Sequence, residues 1–261
     1  MTNRRTPLAV TILVAALSPN PGASVVLTES AKTTADGKVT AVQVVYSVHG
    51  QKMRVHRIRP EDQGRKGLVH VYDAAERRLV ILDLDKQEAE IYDAAKAAAE
   101  VEKNLPGDRI TSELKPTGRS RTLLGVTCED YSFVIKAPLT DSANVVRSGT
   151  VCVAKAAPGA EEYVAFFKSA ETVLTAGSVK APKSVMAADR TDTEFYRRVA
   201  LLGGMPYAFE MKLEVEGSGL MARMLRGSLT WSREMTVTSI TTEPVSEADF
   251  AMPAGWKKRV R

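Results

Sequence analysis

The chain has 261 residues, 44% of them apolar and 26% charged, with a formal net charge of +5. That composition belongs to an ordinary globular protein and excludes a wholly disordered one. Its basic residues fall in scattered pairs, Arg65-Lys66, Arg77-Arg78, Arg197-Arg198 and Lys257-Lys258, without aromatic residues between them. Glu61, Asp62 and Glu76 offset several of these pairs, so a nucleic-acid partner is not expected. A solvated surface with at most weak attraction to anionic lipid headgroups fits the charge better.

The chain opens with Arg4-Arg5, an apolar run Leu8 to Leu17, the breakers Pro19, Pro21 and Gly22, and the small pair Ala23-Ser24. A basic start, a short apolar centre and small residues at the end make up a secretory signal peptide, cleaved near Ala23-Ser24. The run is short for a membrane anchor. Thr6-Pro7 stands where a twin-arginine signal would carry apolar residues, and no Cys ends the run to hold a lipid. Residues 1–24 are therefore expected to be removed. Residues 25–261 form a single exported domain with no stable membrane insertion, and the expected location is the periplasm.

From there the pattern is mostly period two, the signature of half-buried strands. Val42, Val44, Tyr46 and Val48 share a face, His49-Gly50-Gln51 makes a turn, and Met53 and Val55 continue the next strand. Leu68–Tyr72, Leu79–Leu84 and Ala89–Tyr92 follow at short intervals as a meander. Ala94–Lys103 is read as an Ala-rich helix stopped by Pro106-Gly107, and 104–118 as a loop. Thr127–Ile135 and Thr150–Lys155 are strands that carry the two cysteines, Cys128 and Cys152. In an oxidising compartment such a pair forms a structural bridge, whereas a redox pair would favour Cys-x-x-Cys, which is missing.

Glu161–Thr175 is expected to be helical, with Tyr163, Phe166, Phe167, Ala170 and Leu174 on one face and acids in its first turn. Gly177–Ala188 is read as a flexible loop. A third helix is expected to start near Thr191, where Thr191-x-x-Glu194 fits a capping box. It presents Phe195, Val199 and Leu202 and ends at Gly203-Gly204. Tyr207, Phe209, Met211, Leu213 and Val215 then share one strand face, and Leu229, Trp231, Arg233, Met235 and Val237 another. Gly217-Ser218-Gly219 is read as a hairpin turn between them. Strands with one wet and one dry face belong to an antiparallel sheet covered on one side.

Catalytic signatures are missing: there is no His-Glu-x-x-His, Gly-x-Ser-x-Gly, phosphate loop or dinucleotide fingerprint. His49 and His56 flank a turn and could approach each other, but no Cys or carboxylate pair supports a metal there. Asp83 and Asp85 mark a turn better than they make an acid–base pair. No enzyme, catalytic residue, metal or cofactor is expected.

Four segments in this order resemble those of an uncharacterised family of bacterial periplasmic proteins in the LolA-like (lipoprotein carrier-like) superfamily. They are Leu79–Tyr92, Gly118–Tyr131 with its Gly-x-x-Cys-x-x-Tyr followed by Cys152, Gly204-Met205-Pro206, and Phe250-Ala251-Met252-Pro253-Ala254-Gly255-Trp256. The resemblance implies an α+β fold, a strongly curved, unclosed antiparallel half-barrel with helices over its concave face. It also implies a hollow that receives apolar groups, although fold alone does not assign function. Relative to a minimal carrier, the 94–103 helix and the 104–118 loop read as insertions, and 177–188 as a lid or linker.

The expected function is that of a periplasmic binding protein holding a lipid or lipoprotein acyl chain. Its apolar lining would be Phe166, Phe167, Phe195, Tyr207, Phe209, Met211, Trp231 and Met235, Met being suited to irregular cargo. The alternative is a structural or interaction protein of the cell envelope, in which the same residues fill a closed core and the surface docks a protein partner.

Overall fold

The computed structural model describes residues 24–60, 64–106, 109–179 and 181–261. The expected signal segment lies outside them except for Ser24, which opens the first strand. In chain order, β1 (Ser24–Ala35), β2 (Lys38–His49), β3 (Lys52–Ile58), β4 (Leu68–Asp73), β5 (Arg78–Asp83) and β6 (Glu88–Asp93) form a meander. Helix α1 (Ala94–Asn104) follows, then β7 (Thr111–Leu123), β8 (Val126–Thr140) and β9 (Ala143–Ala154). Helices α2 (Ala160–Ser169), α3 (Glu171–Thr175) and α4 (Lys183–Leu201) lead to β10 (Met205–Gly217), α5 (Leu220–Ser228), β11 (Trp231–Thr241) and β12 (Lys257–Val260).

All twelve strands join one sheet in the order β12-β6-β5-β4-β3-β2-β1-β11-β10-β9-β8-β7. Its ends do not meet, so the sheet is an unclosed half-barrel. Neighbours are antiparallel except for β12, which lies parallel to β6. The sheet closes β1 against β11, so the first and last long strands sit together at its centre. This order splits the concave face into two halves, β2–β5 on one side and β8–β10 on the other.

The core lies between that face and the roof made by α2, α3 and α4. Its largest cluster joins Val25, Leu27, Tyr46 and Val55 from the sheet's first half, Phe133, Val151 and Phe209 from its second, and Tyr163, Phe166, Phe195 and Val199 from the helices. Cross-strand registers build the rows: Leu27 faces Tyr46, Tyr46 faces Val55, Val55 faces His70 and His70 faces Ile81. At the start of α2, Gly159 has φ 72°, and a Cβ there would lie 2.4 Å from Val25 Cβ. Only glycine lets the roof come that close to β1.

A second layer covers the convex side of β4–β6. Val69, Val71, Val80, Leu82 and Ala89 pack under Phe250, with Met252 and Trp256 alongside. The closing Phe-x-x-Pro-x-Gly-Trp segment is thus a strap that leads into β12.

Five expectations are corrected. The stretch read as a 104–118 loop is largely β7, an edge strand whose residues are mostly exposed and carry no apolar alternation. It is a strand because its backbone pairs with β8, which side-chain pattern does not reveal. The supposed 177–188 loop holds a 3-10 turn at Ala176–Ser178, and α4 already starts at Lys183. Thr191 is therefore a buried mid-helix residue donating to Ala188 O, not a cap. The helix expected over 161–175 breaks at Ala170, and β10 reaches β11 through α5 rather than through a hairpin turn at Gly217–Gly219.

The cysteines behave as read. Cys128 and Cys152, on adjacent strands β8 and β9, form a disulfide with a Cα–Cα distance of 5.3 Å, closing a separation of 24 residues.

Candidate functional site

The two halves of the hollow differ in how they are filled. Under α4, the β8–β10 half is closed by aromatic packing: Phe133 to Phe195 is 4.8 Å between ring centroids and Phe195 to Phe209 is 5.5 Å. The chain of rings continues through Tyr196 to Phe167 at 5.2 Å and on to Tyr163 at 4.5 Å. Tyr196 and Phe167 then form the wall of a cavity of about 260 Å³ in the β2–β5 half. That is just under the roughly 300 Å³ at which small-molecule pockets begin.

The cavity floor is the concave face of β2–β5: Tyr46 on β2, Met53, Val55 and Arg57 on β3, His70 and Tyr72 on β4, and Ile81 on β5. Leu174 on α3 and Asp189, Asp192 and Thr193 on α4 supply the roof, and Arg233 enters from β11. Beside the floor, on the same face of the sheet, Glu29 on β1 is 1% exposed. It sits where the β1–β11 register shifts, at a bulge between Thr28 and Glu29, and bulges re-aim side chains. Glu29 faces Val44, which faces Arg57 on β3.

Buried ionisable groups this close together change one another. Burial pushes the Glu29 carboxyl up to about 7, against the opposing pull of Arg233, a hydrogen bond with Tyr46, and Arg57. Burial likewise lowers His70 to about 4, with Arg57 adding to the effect, so its imidazole is neutral at pH 7. The carboxyl of Asp189 is raised to about 6, first by desolvation against the cavity and then by Asp192. Burial holds the Tyr46 phenol well above its ordinary range, and the neighbouring Glu29 adds to that.

Asp192 is tied down. Arg147, 3% exposed, reaches it at 3.0 Å and also donates to Thr191 Oγ1 at 3.1 Å and Ala188 O at 3.2 Å. The same guanidinium lies 5.2 Å from the Trp231 ring centroid, so it pins α4 to the sheet. Three polar atoms around the cavity have no hydrogen-bond partner although buried: Glu29 Oε2, His70 Nδ1 and Arg233 Nε. Buried polar atoms of a finished core are usually paired.

Of the eight residues expected to line a ligand site, Phe167 alone lines this cavity. Phe166, Phe195, Tyr207, Phe209, Met211 and Met235 are buried in the main core, and Trp231 packs half-buried beside it. Arg57, His70, Tyr72, Ile81, Asp189, Asp192, Tyr196 and Arg233 were not expected as site residues. A signal existed for Arg233, since it stands on the dry face of a strand between Trp231 and Met235. Glu29 has the same mark between Leu27 and Ala31, and Arg57 follows Met53 and Val55. A charge at an inward position of an otherwise apolar row is the feature to look for.

The histidines do not meet. His49 Nδ1 lies 2.8 Å from Ser24 Oγ, and His56 Nε2 lies 2.8 Å from Lys66 O. Among the described residues no group of three or more His, Cys, Asp or Glu is placed to hold a metal. Asp83 accepts from the backbone N–H groups of Asp85 and Lys86, and Asp85 from those of Lys66 and Gly67, so both acids organise turns.

No family model matches the chain, and no curated protein matches it. Solved structures similar to it include one of PNGF-II, at 10% identity and TM-score 0.37, which covers 92% of this chain; this chain spans 31% of that one. A LolA superfamily protein from Nitrosomonas europaea aligns at 6% identity and TM-score 0.32, over 89% of this chain and 91% of its own. A DUF1329 family protein from Desulfovibrio piger aligns at 9% identity and TM-score 0.33, over 87% of this chain and 89% of its own. The superfamily that the sequence resembles is thus among the similar structures, and alignments at this level say nothing of ligand or activity.

Proposed function

We propose that the protein is an exported binding protein that holds one amphipathic molecule, with an apolar chain such as a lipid or lipoprotein acyl chain in the β2–β5 half of the hollow. One observation carries this reading: a cavity of about 260 Å³ whose surroundings leave Glu29 Oε2, His70 Nδ1 and Arg233 Nε buried without partners. A closed structural core would have filled the space and paired those atoms. Met53, Val55, Ile81, Phe167 and Leu174 give the chain its apolar contact. The Cys128–Cys152 bridge is in keeping with an oxidising compartment, and among the described residues no helix is long and apolar enough to cross a membrane.

The reading as an envelope interaction protein with a filled core draws support from the other half, where Phe195 packs against both Phe133 and Phe209. Native mass spectrometry of protein purified from the periplasm without detergent, followed by lipid extraction, separates the two. A stoichiometric co-purifying lipid, lost when Leu174→Trp fills the cavity in a chain that still folds, supports the binding protein. A clean apo mass with no uptake of added palmitate or phospholipid overturns it and leaves the docking role.

A further inference from the structure

We infer that the mouth of the cavity is a subsite for an anionic group, a carboxylate or phosphate at the end of the bound amphiphile, gripped between Arg57 and Arg233. This rests on the binding-protein reading and adds the chemistry of the ligand's polar end.

The inner cavity does not end at its arginines. A second, more open groove of about 500 Å³ begins there, lined by Thr33, Lys38, Thr40, Val42, Arg59 and the acid Asp36 as well as by Arg57 and Arg233. Those two arginines are the residues common to both spaces. They approach from opposite sides of a narrow apolar strip. Arg57 faces Val44 across the β2–β3 pair, while Arg233 faces Thr33 across the β1–β11 pair. Val42 and its partner Ala31 lie between the rows.

The charge around this mouth is unbalanced. Lys38, Arg57, Arg59 and Arg233 stand against the one carboxylate of the groove, Asp36. None of the four cations forms a salt bridge within 4 Å among the described residues. By contrast, Arg147, Arg190, Arg197 and Arg198 of the roof and its surroundings are each paired with an acid. Arg233 is the strongest indicator. Its guanidinium carbon lies 5.6 Å from the Phe209 ring centroid, and its buried Nε has no acceptor. A guanidinium fork beside a ring, with a free donor, suits a carboxylate or phosphate oxygen. Of the acids on the inner side, Asp192 is held by Arg147 at 3.0 Å, and burial favours the neutral carboxyl of both Glu29 and Asp189. An anion at the mouth can therefore bind the arginines while its chain runs inward over Val55 and Ile81 toward Leu174.

The test compares probes that share a chain and differ in the head. Palmitate, hexadecyl phosphate, hexadecanol and inorganic phosphate are titrated into the mature protein by calorimetry. Palmitate and hexadecyl phosphate are expected to bind about tenfold or more tightly than hexadecanol, the scale of a charge-assisted bidentate contact. In R57Q/R233Q the three chains should bind within about twofold of one another. Arg57 is exposed, so R57Q alone carries the test if the double variant does not fold, and should lose roughly a threefold share of the discrimination. Equal binding of all three chains to the wild-type protein overturns the anionic subsite and leaves the binding-protein reading standing. Binding of inorganic phosphate without any chain-bearing probe overturns an amphiphile's head in favour of a free-anion site. No binding of any probe overturns the binding-protein reading and the subsite with it.

Discussion

The two halves of the hollow share one sheet and one roof, yet one is dry and closed and the other is charged and open. In the β8–β10 half, Phe133, Phe195 and Phe209 meet ring to ring, and the disulfide ties β8 to β9. In the β2–β5 half, α3 and the middle of α4 roof a cavity over Tyr46, His70, Tyr72 and Arg57. The difference teaches that the roof is anchored on one side. Arg147 fastens α4 over β9 and β10, and nothing equivalent among the described residues fastens α3 over β4 and β5. Rigidity on one side lets the other keep a space.

Removing packing from each half should break this contrast most clearly. Phe195→Ala in the closed half is expected to cost about 4 kcal/mol, because a fully buried ring leaves a void its neighbours cannot close. Chemical denaturation measures it, and a loss near that of a surface substitution would mean the closed half is loosely packed. Breaking the bridge with Cys128→Ala and Cys152→Ala should cost about 3 kcal/mol for a loop of 24 residues. The check is the shift in unfolding midpoint between oxidised wild type and the double variant.

The charged half should reveal itself through pH. Glu29 has its carboxyl raised from 4.5 to about 7, so the folded state holds a proton that the unfolded chain releases. Stability from this group is therefore greatest below about pH 4.5 and falls as pH rises toward 7, by on the order of 3 kcal/mol. Asp189, raised to about 6, acts in the same sense. His70, lowered to about 4 from 6.5, acts in the opposite sense between those values. Comparing wild type with Glu29→Gln isolates the first of these, and the variant should be more stable at pH 8 and should lack the Glu29 share of the decline between about pH 4.5 and 7. Thermal melts across pH provide the readout, and an unchanged slope in the variant would rule out a buried protonated Glu29.

The smallest effect is expected at the cavity wall. Ile81→Ala removes a half-buried side chain that already borders empty space, so the loss should be about 1 kcal/mol. A cost matching Phe195→Ala would show that the two halves are packed alike.

Much of this architecture is readable from the chain. Alternation in Val42–Val48 and in Tyr207–Val215 marks strands with one dry face, and those strands are present with that face inward. The helices over 94–103 and 161–175 exist, the latter broken at Ala170, and the cysteines are bridged. The edge strand β7 was illegible because its side chains are mostly in water, and backbone pairing with β8 alone makes it a strand. The early start of α4 was missed because Pro182 and Ser184 read as loop signals, although Pro182 sits at the helix N-cap and Lys183, Met186, Ala187 and Ala188 are good helix formers.

The candidate site divides along the same line. The sequence by itself determined which residues face inward, since a strand's two-residue period admits one assignment once its apolar set is known. It did not determine which inward residues touch one another and which border a space. Phe195 and Phe167 look alike in the chain. One is sealed between Phe133 and Phe209, and the other walls a cavity, because the twist of the sheet and the anchoring of α4 by Arg147 set the height of the roof over each half. That height is a property of long-range packing, where residues distant in sequence close the gap or leave it open. Only the tertiary structure decided it.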